Sequence, residues 1–194
     1  MNNYRIDKAA LFNELSAWSG FLKKPVRLIA CGGTAMTLLN IKASTKDVDF
    51  IVPETAEYKY LAGKLADLGY RQATKYGWCK GDSFVFDLYP GNRVYETELL
   101  ASPLELGGHS LCKEFERIYV GILNYYDILI TKLFRSSSVD IEDCLGLVRV
   151  VGKEIDLKVF EDRFRQTAAY DTSEEKVLRY LEHFLGILRK KGII

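Results

Sequence analysis

The strongest constraint on the fold comes from an apolar segment that runs into two adjacent glycines. Residues 26–30, Val-Arg-Leu-Ile-Ala, are mostly apolar, which is typical of a buried strand. Gly32 and Gly33 follow and indicate a tight turn, and residues 35–39 then have the composition of a short helix. Because the first N–H groups of a helix have no partner within it, Gly32, Gly33 and Thr34 are predicted to bind phosphate. Taken alone, the glycines favour a simpler interpretation, a turn that needs positive φ.

Two aspartates lie in the next apolar segment, residues 47–52, with the sequence Asp-Val-Asp-Phe-Ile-Val. Successive side chains of a strand point to opposite faces, so Asp47 and Asp49 are predicted to share one face, opposite Val48 and Phe50. Adjacent carboxylates repel each other unless a cation separates them, and their hard oxygen atoms favour Mg²⁺. A phosphate site beside a Mg²⁺ site indicates chemistry on a nucleoside triphosphate.

These two segments together resemble the signature of the DNA polymerase beta-like nucleotidyltransferase superfamily. That signature is a Gly-Gly or Gly-Ser turn followed by Asp-x-Asp or Asp-x-Glu, and it is matched by Gly-Gly-Thr at residues 32–34 and Asp-Val-Asp at residues 47–49. Within the superfamily, the chain is similar to the small prokaryotic branch that includes the AbiEii-type toxins and the DUF6036 proteins.

The resemblance implies a third carboxylate on a neighbouring strand. Residues 83–89, after a predicted turn at Gly81-Asp82, alternate as a strand does and carry Asp87. The resemblance therefore implies that Asp47, Asp49 and Asp87 hold two Mg²⁺ ions. The alternative for the first two is a polar strand edge, although their apolar neighbours indicate a buried strand, where unpaired carboxylates are costly.

A second basic and acidic pattern lies further along the chain. Residues 127–135 followed by Asp-Ile-Glu-Asp at residues 140–143 resemble the family's lysine helix, its basic residue and the Asp at the start of the next helix. The resemblance implies that Lys132 contacts the triphosphate and that Asp143 assists or positions it. Without the resemblance, Lys132 and Arg135 could simply form a solvated helix face.

The chain departs from the family pattern just before the aspartates. AbiEii-like proteins often carry Arg-x-Thr there, and in this sequence Ala43 stands at the arginine position while Thr45 matches. Lys42 is the nearest substitute in charge, although an ammonium lacks the fork geometry of a guanidinium.

Composition excludes several classes of protein. The chain has 194 residues with 27 basic and 26 acidic side chains, so its net charge of +1 provides no overall attraction to nucleic acid. The four cysteines are isolated and there are only two histidines, which do not form a zinc motif. With neither a leader sequence nor an apolar run long enough to cross a bilayer, we expect a reduced, cytoplasmic protein.

The pattern changes from strand-rich to helical near residue 124. We expect an α/β fold: a nucleotidyltransferase-like mixed sheet flanked by helices, followed by a small C-terminal helical bundle. The predicted domains are residues 1–123, which form the catalytic unit, and residues 124–194, which pack against it. The helices are predicted at residues 8–19, 54–68, 125–134, 137–150, 156–168 and 172–190, and additional strands at residues 70–80, 93–97 and 117–123. Residues 107–109, Gly-Gly-His, are predicted to form a loop.

The predicted function is Mg²⁺-dependent transfer of a nucleotidyl group from a nucleoside triphosphate to an acceptor hydroxyl. The acceptor could be a tRNA, a protein or a small molecule, and the resemblance to toxins implies a cognate toxin or antitoxin partner. Asp87 is the predicted base or the ligand of the nucleophile-side metal ion. The alternative is a nucleotide-binding or antitoxin-like module that keeps the fold without turnover.

Overall fold

A computed structural model describes residues 5–81 and 84–194 of the chain. The helices are α1 (Lys8–Phe21), α2 (Gly32–Leu38), α3 (Thr55–Asp67), α4 (Tyr125–Arg135), α5 (Ser138–Val151), α6 (Leu157–Ala168) and α7 (Glu174–Lys190), with a 3₁₀ turn at Gly152–Glu154. The strands are β1 (Val26–Ala30), β2 (Asp47–Val52), β3 (Arg71–Gln72), β4 (Gly77–Cys79), β5 (Val85–Pro90), β6 (Arg93–Val94), β7 (Thr97–Glu98), β8 (His109–Glu114) and β9 (Ile118–Leu123). Asp82 and Ser83, predicted in a turn and at the start of a strand, lie outside the described residues.

The main sheet has seven strands in the order β3-β4-β5-β2-β1-β9-β8. Strand β2 runs parallel to β5 and antiparallel to β1, and β1 runs parallel to β9, so the sheet is mixed. Because β2 lies in the middle of the sheet, its apolar residues are buried on both faces. The predicted fold class is confirmed: the mixed sheet is flanked by helices, and α4–α7 complete the chain.

Three local predictions were wrong. Residues 70–80 form the β3–β4 hairpin instead of one strand, and residues 93–97 are divided between the paired strands β6 and β7. His109, predicted in a loop, begins edge strand β8, whose largely exposed side chains have no apolar alternation to reveal it.

An ion pair fixes helix α4, which carries the predicted phosphate-binding lysine. The side chain of Asn124 caps the helix by accepting from the N–H of Asp127. The buried carboxylate of Asp127 accepts two hydrogen bonds from Arg163 of α6, at 2.9 and 2.7 Å. Since such a two-point contact restricts orientation as well as distance, α6 holds the first turn of α4 in place.

No helix within the described residues is long and apolar enough to span a membrane.

Candidate active site

Strands β2 and β5 bring the three predicted carboxylates to one face of the sheet. Asp49 and Asp87 are paired in register on these parallel strands, and Asp47 lies two residues before Asp49, opposite Val85. Residues in register on adjacent strands point to the same face. Asp49 is buried, Asp87 is half-buried and Asp47 is exposed. None of the three forms a salt bridge within the part of the chain that the structure describes.

Burial and the charges of neighbouring carboxylates raise the pKa values of Asp49 and Asp87. Burial raises the pKa of Asp49 to about 6; the hydrogen bond from Tyr95 opposes this rise and the charge of Asp87 adds to it. Burial, with the charge of Asp47, also raises the pKa of Asp87. A cation beside them would relieve both effects.

The donor set suits a magnesium ion in its chemistry. Carboxylate oxygens are the ligands that Mg²⁺ prefers, and none of these three carboxylates forms a salt bridge with a described side chain. However, residues 5–81 and 84–194 contain no group of three or more His, Cys, Asp or Glu side chains that could hold a metal ion as they stand. A metal ion would therefore have to draw the three side chains closer together.

The turn between β1 and α2 is built around the side chain of Asp49. Gly32 has a φ of +53°, and a Cβ there would lie 2.4 Å from Oδ2 of Asp49. A Cβ at Gly33 would lie 2.5 Å from Oγ1 of Thr45, and the N–H of Gly33 donates a 3.2 Å hydrogen bond to Oδ2 of Asp49. The hydroxyl of Thr34 accepts a 2.8 Å hydrogen bond from the N–H of Asp49. Gly32 is thus needed for the close approach of Asp49, and Gly33 for the close approach of Thr45.

Tyr95 was missed by the sequence analysis. Its hydroxyl donates a 2.8 Å hydrogen bond to Oδ1 of Asp49, and Cζ of Arg135 lies 4.1 Å from the centroid of its ring. Tyr95 lies between β6 and β7 with a φ of +52°, which is unusual for a bulky residue. Nothing in the sequence distinguishes it from the other members of a set of 12 tyrosines.

The predicted lysine helix meets the predicted acidic residues in a chain of ion pairs. Lys132 is 2% exposed, and its Nζ lies 2.7 Å from Oδ2 of Asp143 and 3.5 Å from Oδ1 of Asp140. Nζ of Lys42 lies 2.9 Å from the other oxygen of Asp143, and Arg135 lies 2.5 Å from Asp140. Asp143 is therefore a direct partner of Lys132, as the prediction that it positions the lysine requires.

Asp140 is the second anion of this chain of ion pairs. Its burial alone would raise its pKa, but the hydroxyl of Ser137 and the charges of Arg135 and Lys132 lower it overall. Asp140 therefore remains ionised and keeps Arg135 beside Tyr95.

A polar cavity of about 320 Å³ brings acidic and basic residues together. Asp47, Asp49, Asp140 and Asp143 line it, and so do Tyr95 and Gly33. Its cations are Arg5, Lys42, Lys46, Lys132 and Arg135. Asp87 lies next to Asp49 in the sheet without lining this cavity, and Gly32 and Thr34 are buried.

A larger cavity, of about 790 Å³, contains none of the predicted site residues. It lies at the end of α5, where Val148, Val151 and Ile155 meet Ile193 near the C-terminus. Its lining includes one acidic side chain, Glu154, and two cations, Arg149 and Lys153. The polar cavity instead brings together two of the predicted carboxylates and five cations, so it is the better candidate for the active site.

No family model matches the chain, and no curated protein matches it. Among solved structures, it is similar to the crystal structure of ANT(2″)-Ia in complex with adenylyl-2″-tobramycin. The sequence identity is 18% and the TM-score 0.57, over 82% of this chain and 97% of that one. The solution structure of the antibiotic-resistance factor ANT(2″)-Ia gives the same identity and TM-score over 92% of this chain and 99% of that one.

An antigenic nucleotidyltransferase-like protein from Paracoccidioides brasiliensis has 13% identity over 75% of this chain and 78% of that one, and its TM-score of 0.48 is too low to support an argument. At 18% identity, the likeness to ANT(2″)-Ia shows a shared fold. The chain therefore has the nucleotidyltransferase-like fold, with its mixed sheet followed by helices, that the sequence predicts.

Proposed function

We propose that the protein is a Mg²⁺-dependent nucleotidyltransferase that moves a nucleoside monophosphate group from a nucleoside triphosphate to an acceptor hydroxyl. The observation that carries this proposal is the in-register pair Asp49 and Asp87, with Asp47 beside it, at a cavity that Asp47 and Asp49 line together with five cations. The nucleotidyltransferase-like fold supports the same reaction class.

In the proposed reaction, the acceptor oxygen attacks the α-phosphorus while the bond from that phosphorus to the bridging oxygen breaks. Pyrophosphate leaves, and Asp87 takes the proton of the acceptor hydroxyl. Its raised pKa suits a general base, because a carboxylate that binds a proton more readily is a better acceptor near neutral pH. Asp87 is half-buried and has no salt-bridge partner among the described residues, so its charge remains available.

Asp47, Asp49 and Asp87 would hold the magnesium ions, of which we expect two. When bound, these ions would lower the pKa of the acceptor hydroxyl and neutralise charge on the leaving pyrophosphate. Gly33 and Tyr95 would orient the carboxylate of Asp49, because each donates a hydrogen bond to it.

The phosphates would lie between the glycine turn and helix α4. Of the three residues predicted at the turn, Gly33 lines the cavity, so it is the one that could reach a phosphate directly, while Gly32 and Thr34 would act through Asp49. Lys132 would supply positive charge, with Asp143 holding its ammonium group in place. The catalytic unit of residues 1–123 would thus supply the carboxylates and the helical unit of residues 124–194 the lysine.

A small molecule with hydroxyl groups is the first acceptor to test, because the neighbour ANT(2″)-Ia was crystallised with adenylyl-2″-tobramycin. A tRNA end or a protein is the next candidate, on the resemblance to the AbiEii and DUF6036 branch. That resemblance also motivates a search for a cognate toxin or antitoxin encoded nearby.

A second candidate function is nucleotide binding without turnover. Two observations favour it: Gly33 and Tyr95 each donate a hydrogen bond to one oxygen of Asp49, and the described residues contain no ready-made metal-binding group. If this second function is correct, replacing Asp47 or Asp49 by Asn would leave the biological effect unchanged.

Label transfer distinguishes the two candidates. The purified protein is incubated with Mg²⁺ and each of the four α-labelled nucleoside triphosphates, against total RNA, total protein and a panel of aminoglycosides that includes tobramycin. Asp47→Asn and Asp49→Asn serve as controls. We expect label in one acceptor fraction with the native protein alone. Nucleotide binding without label in any fraction would overturn the proposal for these acceptors and favour the binding module.

A further inference from the structure

The cations of the polar cavity differ in how they are neutralised. Lys42, Lys132 and Arg135 are paired with Asp140 and Asp143, as described above. Arg5 and Lys46 line the same cavity, and within residues 5–81 and 84–194 neither has an ion-pair partner. Both side chains are exposed, so they form the outer, uncompensated part of the positive surface.

Arg5 is held at the cavity by the backbone. The segment before α1 pairs with the segment before β2: Ile6 and Thr45 exchange two backbone hydrogen bonds, at 2.8 and 2.9 Å. The side chain of Ile6 is buried, which anchors this pairing. Arg5 is therefore attached to a fixed point of the structure directly beside the aspartate-bearing strand.

The guanidinium itself is also oriented. Nε of Arg5 donates a 2.8 Å hydrogen bond to Oγ of Ser44, and a terminal nitrogen donates a 2.7 Å bond to the carbonyl oxygen of Ser44. A guanidinium has five N–H donors, so several remain for a ligand. A cation held in this way loses little side-chain freedom on binding and can present two parallel donors to a phosphate.

We propose that Arg5, assisted by Lys46, binds the terminal phosphates of the nucleoside triphosphate at the mouth of the cavity. This inference rests on the proposed function and deepens it, because it assigns to Arg5 and Lys46 the preference for a triphosphate over a monophosphate. The paired cations already share their charge with Asp140 and Asp143. The phosphates furthest from the α-position carry the most charge, and the unpaired cations are the groups left to meet it.

The test is calorimetric titration in the presence of Mg²⁺. ATP, GTP, CTP and UTP are compared, and the tightest binder is titrated together with its diphosphate and monophosphate. The proteins are the native chain, Arg5→Ala, Arg5→Lys and Lys46→Ala. Arg179→Ala is the matched control, since Arg179 is an exposed arginine of α7 outside this cavity.

We expect Arg5→Ala to weaken triphosphate binding about tenfold, as for the loss of one charge-assisted contact, and monophosphate binding less than twofold. Arg5→Lys should lie in between, because it keeps the charge and loses the fork. The side chain of Lys46 has no role in holding Ser44. The variant Lys46→Ala should lower the triphosphate affinity about threefold. Arg179→Ala should bind as the native protein does.

Equal triphosphate affinity in the native chain, Arg5→Ala and Lys46→Ala would overturn this inference alone and leave the proposed function standing. It would also be overturned if Arg5→Ala lost affinity equally for the triphosphate, the diphosphate and the monophosphate. If Arg5→Ala does not fold, an unchanged triphosphate affinity in Lys46→Ala would overturn it. A native chain that binds no triphosphate would overturn both proposals together.

Discussion

The hydroxyl of Tyr95 lies 2.8 Å from Oδ1 of Asp49, while the guanidinium of Arg135 covers the ring of the same tyrosine. Tyr95 thereby connects the carboxylates of the sheet with the cations of helix α4. Burial raises the pKa of Tyr95, and the charge of Asp49 raises it further, so the hydroxyl remains a donor throughout the physiological range. The orientation of Asp49 depends on this donor and on the N–H of Gly33.

Replacing Tyr95 by Phe should slow nucleotidyl transfer about tenfold, the expected effect of losing one hydrogen bond to a charged group. Nucleotide affinity should stay within about twofold, because the ring that contacts Arg135 is retained. Transfer rates and titrations measure the two effects separately. Tyr170→Phe is the control, since Tyr170 is 83% exposed. A Tyr95→Phe protein with the native rate would show that the hydrogen bond does not matter for the reaction.

Gly32→Ala should destabilise the protein by about 3 kcal/mol, because the new Cβ would lie 2.4 Å from Oδ2 of Asp49 at a residue of positive φ. The control is Gly107→Ala, where φ is +78° and a Cβ would have no atom within 4 Å. That variant should lose only about 1 kcal/mol from backbone strain. Denaturant unfolding measures both, and equal losses would mean that the contact with Asp49 has no cost of its own.

Lys132→Met should lower the free energy of unfolding by about 3 kcal/mol, because it leaves Asp143 and Asp140 buried with fewer cationic partners. Lys158, which is exposed at the start of α6, provides the control Lys158→Met, expected to change stability by less than about 0.5 kcal/mol. A similarly small change for Lys132→Met would argue against the ion-pair chain as a structural element.

Asp49→Asn should make the metal-free protein more stable at pH 7 to 8. The native carboxyl has a pKa of about 6, above its ordinary 3.8, so burying it in ionised form costs stability above pH 6. Between pH 6 and about 4 the folded protein takes up a proton that the unfolded chain does not, and this cost disappears. The variant should therefore exceed the native protein by about 2 kcal/mol at pH 8 and by little at pH 4.

Denaturant unfolding across this pH range, with a chelator present, measures the difference. A constant difference between the two proteins at all pH values would contradict the raised pKa of Asp49. The Asp87→Asn protein should show a smaller dependence of the same sign, since burial and the charge of Asp47 also raise the pKa of Asp87.

The elements that carry the site were predictable because their signals are local. Residues 26–30 and 47–52 are apolar runs bounded by glycine, charge or proline, and β1 and β2 have those bounds. Ser137 caps α5 through its hydroxyl, as a Ser-x-x-Asp pattern predicts. By contrast, Thr172 does not cap the last helix, which begins after Ser173 without a side-chain cap.

The missed parts of the site depend on contacts between distant segments. Arg5 reaches Ser44 across 39 positions of the chain, and Tyr95 reaches Asp49 across 46. Neither contact leaves a periodic pattern in the sequence. For Gly32, only part of its role could be predicted from the sequence. A glycine predicts positive φ, but the close approach of Asp49 follows from the pairing of β2 with its neighbours.

The most direct test of the proposed reaction is the single-turnover rate of label transfer by Asp87→Asn, with the native protein at the same saturating nucleotide and Mg²⁺ concentrations. If Asp87 accepts the proton and helps to hold the metal ions, the rate should fall at least about a hundredfold while nucleotide binding persists. Pyrophosphate should appear in equal amount with labelled product in the native reaction. A native rate in Asp87→Asn would contradict the account.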